Sequence, residues 1–400
     1  MPTTASVPIN RLTSRPTSAR SHWPAVFALM GAIFVLVTAE FLPTSLLPAM
    51  AKDFGVTEGV AGQVVTATAL VGMVAGPGTA LLFPRMDRRR LLLGLLLLAL
   101  VANVVTAIAP IYAIVFVARL ALGAAIAGTW SMALAVTSQL VPREQLGRAM
   151  MTVNIGVSAA TVAAVPLGAL ISSLAGWRSV FWAVAAATAV AFVVFLLTVP
   201  PITAAENGGL RPLVDALKSK VLIVGFIGLA VFIASHFASY TFIRGAAESM
   251  SGLAAGEVAL LLATYGVGGV VGNLLVGVLV DRRIGLTMLL MPLLIGIGII
   301  SFVLADASVV FVFAAAAVWG LGFGAVPTVA QTWVSRAEPN RVEAGGGLIV
   351  ATLQLAIALG AAVGGIVIDG AGVHPLFLAS GIVVLIGGAI FASTRRLLPR

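Results

Sequence analysis

The chain has 400 residues, of which 60% are hydrophobic and only 9% charged, with a mean hydropathy of +1.13. Soluble globular proteins carry charge on about a quarter of their residues, so this composition excludes one and implies an integral membrane protein. The lack of cysteine excludes a disulfide scaffold, and the formal charge of +9 lies in short loops between apolar runs, which speaks against a nucleic-acid partner and for orientation in a lipid bilayer.

Residues 1–23 are rich in Ser, Thr and Pro, hold Arg11, Arg15 and Arg20, and lack both acids and an apolar segment with a cleavage site. They read as a disordered tail, with no signal peptide before the first span. A helix needs about 20 apolar residues to cross about 30 Å of hydrocarbon. Twelve runs qualify, at 24–48, 59–83, 91–109, 111–140, 149–173, 177–199, 221–243, 256–280, 285–305, 308–334, 345–369 and 375–393. Only Ala109 and Pro110 separate the third from the fourth, and the proline together with the combined length favours a tight turn over one long helix.

An even number of spans puts both termini on one side. Arg85, Arg88, Arg89 and Arg90, Arg143 and Arg148, Arg211, Lys218 and Lys220, Arg282 and Arg283, Arg336 and Arg341, and Arg395, Arg396 and Arg400 all fall on that side, against Lys52, Arg178 and Arg244 on the other. The positive-inside rule makes the arginine-rich side cytoplasmic. Residues 200–220 form the longest connection and divide one six-span bundle, 24–199, from a second, 221–394, leaving 395–400 as a short tail. An offset of 194 residues lays Gly72 on Gly266, Gly78 on Gly272 and Asp87-Arg88-Arg89 on Asp281-Arg282-Arg283; an offset near 197 lays Pro142 on Pro339 and Gly168 on Gly365. Duplicated six-helix halves point to a transporter with its solute site where the halves meet.

Charges inside spans are costly and therefore informative. Glu40 and Arg119 both fall in the half of the bilayer away from the arginine-rich side, counting about 1.5 Å per residue along each helix. Pro43 cannot donate to the carbonyl of Ala39, so the first span should loosen beside the carboxylate. Two readings stay open: a carboxylate that takes and loses a proton while its arginine partner moves, or a permanent salt bridge that fixes helix packing. In the seventh span His236, Tyr240 and Arg244 recur every four residues and share one helix face, with Phe237 and Thr241 beside them. His236 is either a site-lining or proton-carrying group, or a neutral donor to a neighbouring helix. Trp130, Asn154, Asn273, Gln331 and Gln354 mix stacking faces with hydrogen-bonding amides, as a site for flat aromatic solutes requires, although interhelical amides also serve as packing contacts. Trp333 is expected in an interfacial aromatic belt. The Gly266–Gly272 and Gly320–Gly324 runs suit close helix packing; no Lys follows them in phosphate-loop spacing.

Asp281-Arg282-Arg283, between Gly277 and Gly285, resembles the Gly-x-x-x-Asp-Arg-x-Gly loop of the major facilitator superfamily, and Asp87-Arg88-Arg89-Arg90 resembles its first-half copy with Phe83 in place of glycine. The resemblance implies an all-α membrane protein of twelve transmembrane helices in two pseudo-symmetric six-helix bundles, with Asp87, Arg88, Asp281 and Arg282 latching the cytoplasmic helix ends. Arg119-x-x-x-Gly123 resembles the family's motif linked to proton coupling, and Pro166 with Gly168 loosely resembles its antiporter motif, with a gating role. Glu40-Phe-Leu-Pro43, Glu58–Gln63, Gly176-Trp-Arg178, Thr241–Arg244, Trp319-Gly-Leu321 and Gly364-Gly365 with Asp369 are similar to segments of purine ribonucleoside exporters within the drug:proton antiporter family. The function this implies is proton-coupled export of a small molecule by a monomer in the bacterial inner membrane, without cofactor, nucleotide hydrolysis or nucleic acid. Sugars and hydrophobic drugs are the alternative substrates. An intramembrane enzyme or a sensor is the rival from another class, and neither His-Glu-x-x-His nor a sizeable soluble domain supports it.

Overall fold

The computed structural model describes residues 21–56, 58–204, 214–216, 218–251, 253, 255–304 and 308–398. Residues 1–20 of the expected tail, 205–213 and 217 of the expected linker, and 399–400 lie outside the described residues. The chain forms α1 (Trp23–Phe54), α2 (Glu58–Leu82), α3 (Arg88–Ile108), α4 (Tyr112–Leu140), α5 (Leu146–Ala175) and α6 (Trp177–Thr198) in its first half. The second half holds α7 (Lys220–Tyr240), α8 (Ile243–Ser251), α9 (Ala255–Leu304), α10 (Val309–Gly324), α11 (Val326–Ala337), α12 (Val342–Ala371) and α13 (Val373–Ser393).

Among the described residues nine helical stretches are long and apolar enough to cross a membrane. The stretch at Gly256–Leu304 is 49 residues long, twice what a bilayer needs. It is divided at Arg283, whose backbone is non-helical at φ −138°, ψ 49°, so the eighth and ninth expected spans meet there without a loop. With α2 and α5 the twelve spans are accounted for. The turn at Pro110 is present: α3 ends at Ile108 and α4 begins at Tyr112. The tenth span is not one helix but two, α10 and α11, because Pro327 cannot donate to the carbonyl one turn back. The seventh also ends early: Phe242 N–H bonds to Ser239 O, the last turn tightens, and Arg244 belongs to α8. The expected His236, Tyr240 and Arg244 face is therefore cut after Tyr240.

In the first half α1 packs against α5, α6, α2 and α4; in the second, α7 packs against α12 and α13, and α9 against α10 and α13. The halves meet along α2 and α4 with α12, and along α5 with α9 and α11. Leu174, Leu197 and Val310 expose more than three quarters of their surface, as lipid-facing side chains do when the bilayer replaces water as solvent.

Without a hydrophobic drive between helices in lipid, backbone proximity carries the packing. A Cβ on Gly272 would run into the Leu321 carbonyl, and one on Gly324 into the Gly269 carbonyl, so α9 and α10 are in backbone contact. Gly272→Ala is expected to destabilise the protein by about 1–3 kcal/mol through overpacking, read as a lower melting temperature in detergent; an unchanged melt contradicts the contact. Trp333, expected at an interface, is wholly buried between Phe226 and Phe391, because Gly225 leaves room for its ring.

At the end away from the arginines, Arg178 pairs with Asp53 and donates to Ala109 O at 2.9 Å, joining the end of α1, the α3–α4 turn and the start of α6. The Arg178 guanidinium holds the Asp53 carboxyl below its ordinary value. The stabilisation from this contact is present above the ordinary carboxylate range and is lost as the pH falls through the lowered value.

Candidate functional site

Between the halves lies a cavity of about 210 Å³. Val37, Glu40 and Phe41 of α1, Trp130 of α4, Phe237 of α7, Phe323 of α10 and Gln354 of α12 are on its wall. Among the described residues lining it, Glu40 is the one titratable group. Nothing on α1 forces a carboxylate inward except the helix register: Val37, one turn before it, and Phe41, the next residue, face the same space.

Arg119 is fully buried behind this wall. Its Nη1 donates to Ala39 O at 2.8 Å, and its guanidinium lies 4.9 Å from the centre of the Phe181 ring. No Glu40–Arg119 ion pair within 4.0 Å occurs among the described residues, so the permanent salt bridge is not the arrangement in this conformer. The acceptor that Arg119 uses is the carbonyl that Pro43, lacking an N–H, leaves open. Pro43→Ala is expected to restore a helix hydrogen bond to Ala39 and displace the guanidinium. Transport should fall about tenfold, the scale of one lost hydrogen bond to a charged group, while the melting temperature holds or rises. Full transport in that variant contradicts a role for the open carbonyl.

His236 is wholly buried and lies behind the cavity wall, not on it. Its Nδ1 accepts from Trp319 Nε1 at 2.8 Å. An indole only donates, so the imidazole in this conformer is neutral with its hydrogen on Nε2. Its ring stacks on Phe323 at 4.1 Å and on Tyr240 at 5.5 Å, which makes it the backing of the aromatic surface that Phe237 and Phe323 turn toward the cavity. Tyr240, stacked here, is likewise absent from the lining.

Asn154, Asn273 and Gln331 do not line the central cavity either. Asn154 Nδ2 donates to Thr328 Oγ1 at 2.8 Å and to Gln331 Oε1 at 3.2 Å, Thr328 Oγ1 donates to Asn273 Oδ1 at 2.8 Å, and Asn273 Nδ2 donates to Met151 O at 3.1 Å. This cluster joins α5 to α9 and α11. Gln354, by contrast, is on the cavity wall with its amide close to Gly72 of α2. Pro166 lies within α5, and its side chain is outside the described residues.

The loop motifs divide their labour unevenly. Asp281 Oδ1 and Oδ2 accept from the N–H groups of Gly147 and Arg148 at 2.8 and 3.3 Å, across the halves at the start of α5, where the positive end of the helix dipole favours an anion. Arg282 lines a cleft beside it with Glu144 and Arg148. In the first half Asp87 turns back on its own helix: Oδ1 caps Arg90 N–H at 3.0 Å and Oδ2 accepts from Ile202 N–H at 2.9 Å. The crossing contact is made by Arg88 instead. Its Nε donates to Glu343 Oε1 at 2.6 Å and its Nη2 to Oε2, while Nη1 donates to Phe83 O at 2.7 Å. Arg88 has no exposed surface. Glu343 did not stand out in the sequence. Every hydrogen bond or ion pair between the two halves recorded among the described residues lies toward the arginine-rich end, so in this conformer that end is the closed one.

Comparison with known proteins decides the family. The Major Facilitator Superfamily model matches residues 29–254 and 245–400. The chain belongs to that superfamily. It is 32% identical to a Pseudomonas aeruginosa protein named transcription regulatory protein OpdE, over 94% of both chains. It is 31% identical to the purine ribonucleoside efflux pump NepI of Salmonella typhimurium, over 94% of this chain and 95% of the pump. Among solved structures the Escherichia coli fucose:proton symporter FucP superposes with a TM-score of 0.77 at 17% identity, covering 95% of this chain and all of the symporter; at that identity the likeness is one of fold. The superfamily member described here is thus a multi-pass transporter-family protein whose two halves enclose a cavity with Glu40 on its wall.

Proposed function

We propose that this protein is a proton-coupled exporter that exchanges an external proton for an internal purine ribonucleoside or a related analogue, without cofactor and as a monomer. The observation that carries the reading is the position of Glu40: the one carboxyl group, and the one charged side chain, among the described residues on the cavity wall, with a buried guanidinium held one carbonyl away. A proton on Glu40 and a solute in the same cavity then influence one another directly, and each favours a different facing of the two bundles. One inward proton supplies about 2.3 kcal/mol per 100 mV, enough to sustain uphill export.

The substrate class rests on the resemblance to the nucleoside pump and on cavity chemistry. Trp130, Phe237 and Phe323 offer ring faces, and Gln354 offers an amide that can meet a base edge or a ribose hydroxyl. Residues 24–199 and 221–394 are the two moving bodies. Arg88 and Asp281 act as gates at the arginine-rich end, which faces the cytoplasm of a bacterial inner membrane together with both termini. His236 supports the aromatic wall and carries no proton in this scheme.

Everted membrane vesicles with an acid lumen are expected to accumulate labelled inosine, and nigericin is expected to stop them. Accumulation of a sugar or a drug cation without inosine rejects the nucleoside assignment while keeping the exchange. A membrane sensor is the second reading, favoured by the name of the Pseudomonas relative; failure of every such solute to move under a pH gradient would support it.

A further inference from the structure

The cluster of Asn154, Asn273, Thr328 and Gln331 lies between two spaces. On α11, Val326 and Pro327 line the central cavity, whereas Thr332, Ser335 and Arg336 line a second cavity of about 430 Å³ at the arginine-rich end. Thr328 and Gln331 fall between these two sets on the helix. On α5, Val157 lines the central cavity and Leu146 the second, with Asn154 between. All four side chains are at most 2% exposed. They form an uncharged polar plug across the solute path.

The plug is built from bonds that opening must break. Asn154 Nδ2 reaches across the halves to Thr328 and Gln331, and Asn273 Nδ2 reaches across to Met151 O. When the halves part at this end, those amide donors and the Gln331 side-chain carbonyl lose their partners at membrane depth. Unmade bonds of this kind are costly where water is scarce. Asn154 Oδ1 has no hydrogen-bond partner among the described residues even with the plug closed, so this amide keeps an acceptor in reserve.

We propose that these four side chains are a solute subsite of the conformer open at the arginine-rich end. It takes uncharged solutes with neighbouring hydrogen-bond donors and acceptors, such as a purine base. The inference rests on the nucleoside-export reading and adds where the solute first binds. Solute and plug compete for the same atoms, so the plug re-forms only once the solute has moved up to the central cavity. With no charge among the four, an ionic solute finds no counter-ion here.

The sign of one kinetic effect separates a subsite from a simple gate. Asn154→Leu removes the amide, and inosine uptake into everted vesicles is measured from the arginine-rich side. As a subsite, its loss raises KM about three- to tenfold, the scale of a lost hydrogen bond. As a gate alone, a weakened plug populates the open conformer, and KM stays the same or falls. Thr328→Val, which keeps the side-chain shape, gives the same reading should the first variant not insert. Wild-type uptake with an unchanged or lowered KM in the variants overturns the subsite only; absence of inosine uptake by the wild type overturns the export reading with it.

Discussion

Glu40→Gln is expected to abolish solute movement driven by a pH gradient while leaving solute exchange at equal pH intact. The amide keeps the shape and hydrogen-bonding reach of the carboxyl group but cannot lose a proton. If the protonation of Glu40 decides which way the cavity faces, fixing it in a neutral form removes the pH term and spares the rocking of the bundles. The structure gives the substitution room to act cleanly. Glu40 makes no ion pair with Arg119 within 4.0 Å among the described residues; Arg119 Nη1 is held by Ala39 O and the guanidinium lies over the face of Phe181, while its Nε and Nη2 have no hydrogen-bond partner among the described residues. The buried charge therefore keeps its acceptor when the acid is neutralised, and folding should be unaffected. Proteoliposomes assayed in two modes, with an imposed pH gradient and for counterflow without one, check the prediction. Loss of both modes assigns Glu40 to solute binding or folding, and retention of both removes it from the mechanism.

The second large effect concerns the closed end. Arg88 is fully buried and donates to both oxygens of Glu343 and to the Phe83 carbonyl. Removing one member of such a buried pair leaves an uncompensated charge and costs about 3–5 kcal/mol. The pair crosses the halves, so the cost falls on the closed conformer alone once water reaches the parted helix ends. At about 1.4 kcal/mol per factor of ten, Glu343→Ala should shift the balance toward opening at the arginine-rich end by two orders of magnitude or more. Spin labels placed across that end, on α2 and α12, report it as a longer distance population in the variant. The exchanged pair, Arg88→Glu with Glu343→Arg, should recover part of the short population. Unchanged distances in Glu343→Ala mean that the Asp281 contact with the start of α5 holds the end closed by itself.

Much of the architecture is legible in the sequence because the bilayer imposes a length on every apolar run. The same solvent makes Glu40 and Arg119 conspicuous, since a charge in a span needs a reason. What sequence reasoning missed follows from facts it does not contain. Glu343 lies two residues after Arg341 at a helix start, where loop charges are ordinary. The internal repeat holds its signal: at the offset that lays Pro142 on Pro339, Glu343 falls on Leu146, next to the Gly147 N–H that Asp281 uses. The resemblance implies that Asp87 latches cytoplasmic helix ends; an Asp directly before a helix is also a strong N-cap, and here it caps α3 while its other oxygen accepts from Ile202 N–H within the first half. By residue type alone Asn154, Asn273 and Gln331 read as cavity groups. Their real partners are one another, because pairing depends on which helices face across the halves, and no spacing along the chain encodes that. The break of the tenth span was within reach, since Pro327 stands in the middle of the run.

The central claim is that solute binding and the charge on Glu40 are linked, and purified protein in weakly buffered detergent solution tests it most directly. Addition of inosine at constant temperature should release protons to an extent that saturates with inosine binding, with no release from Glu40→Gln at the same occupancy. Saturable binding of inosine by the wild type without any proton release contradicts the account.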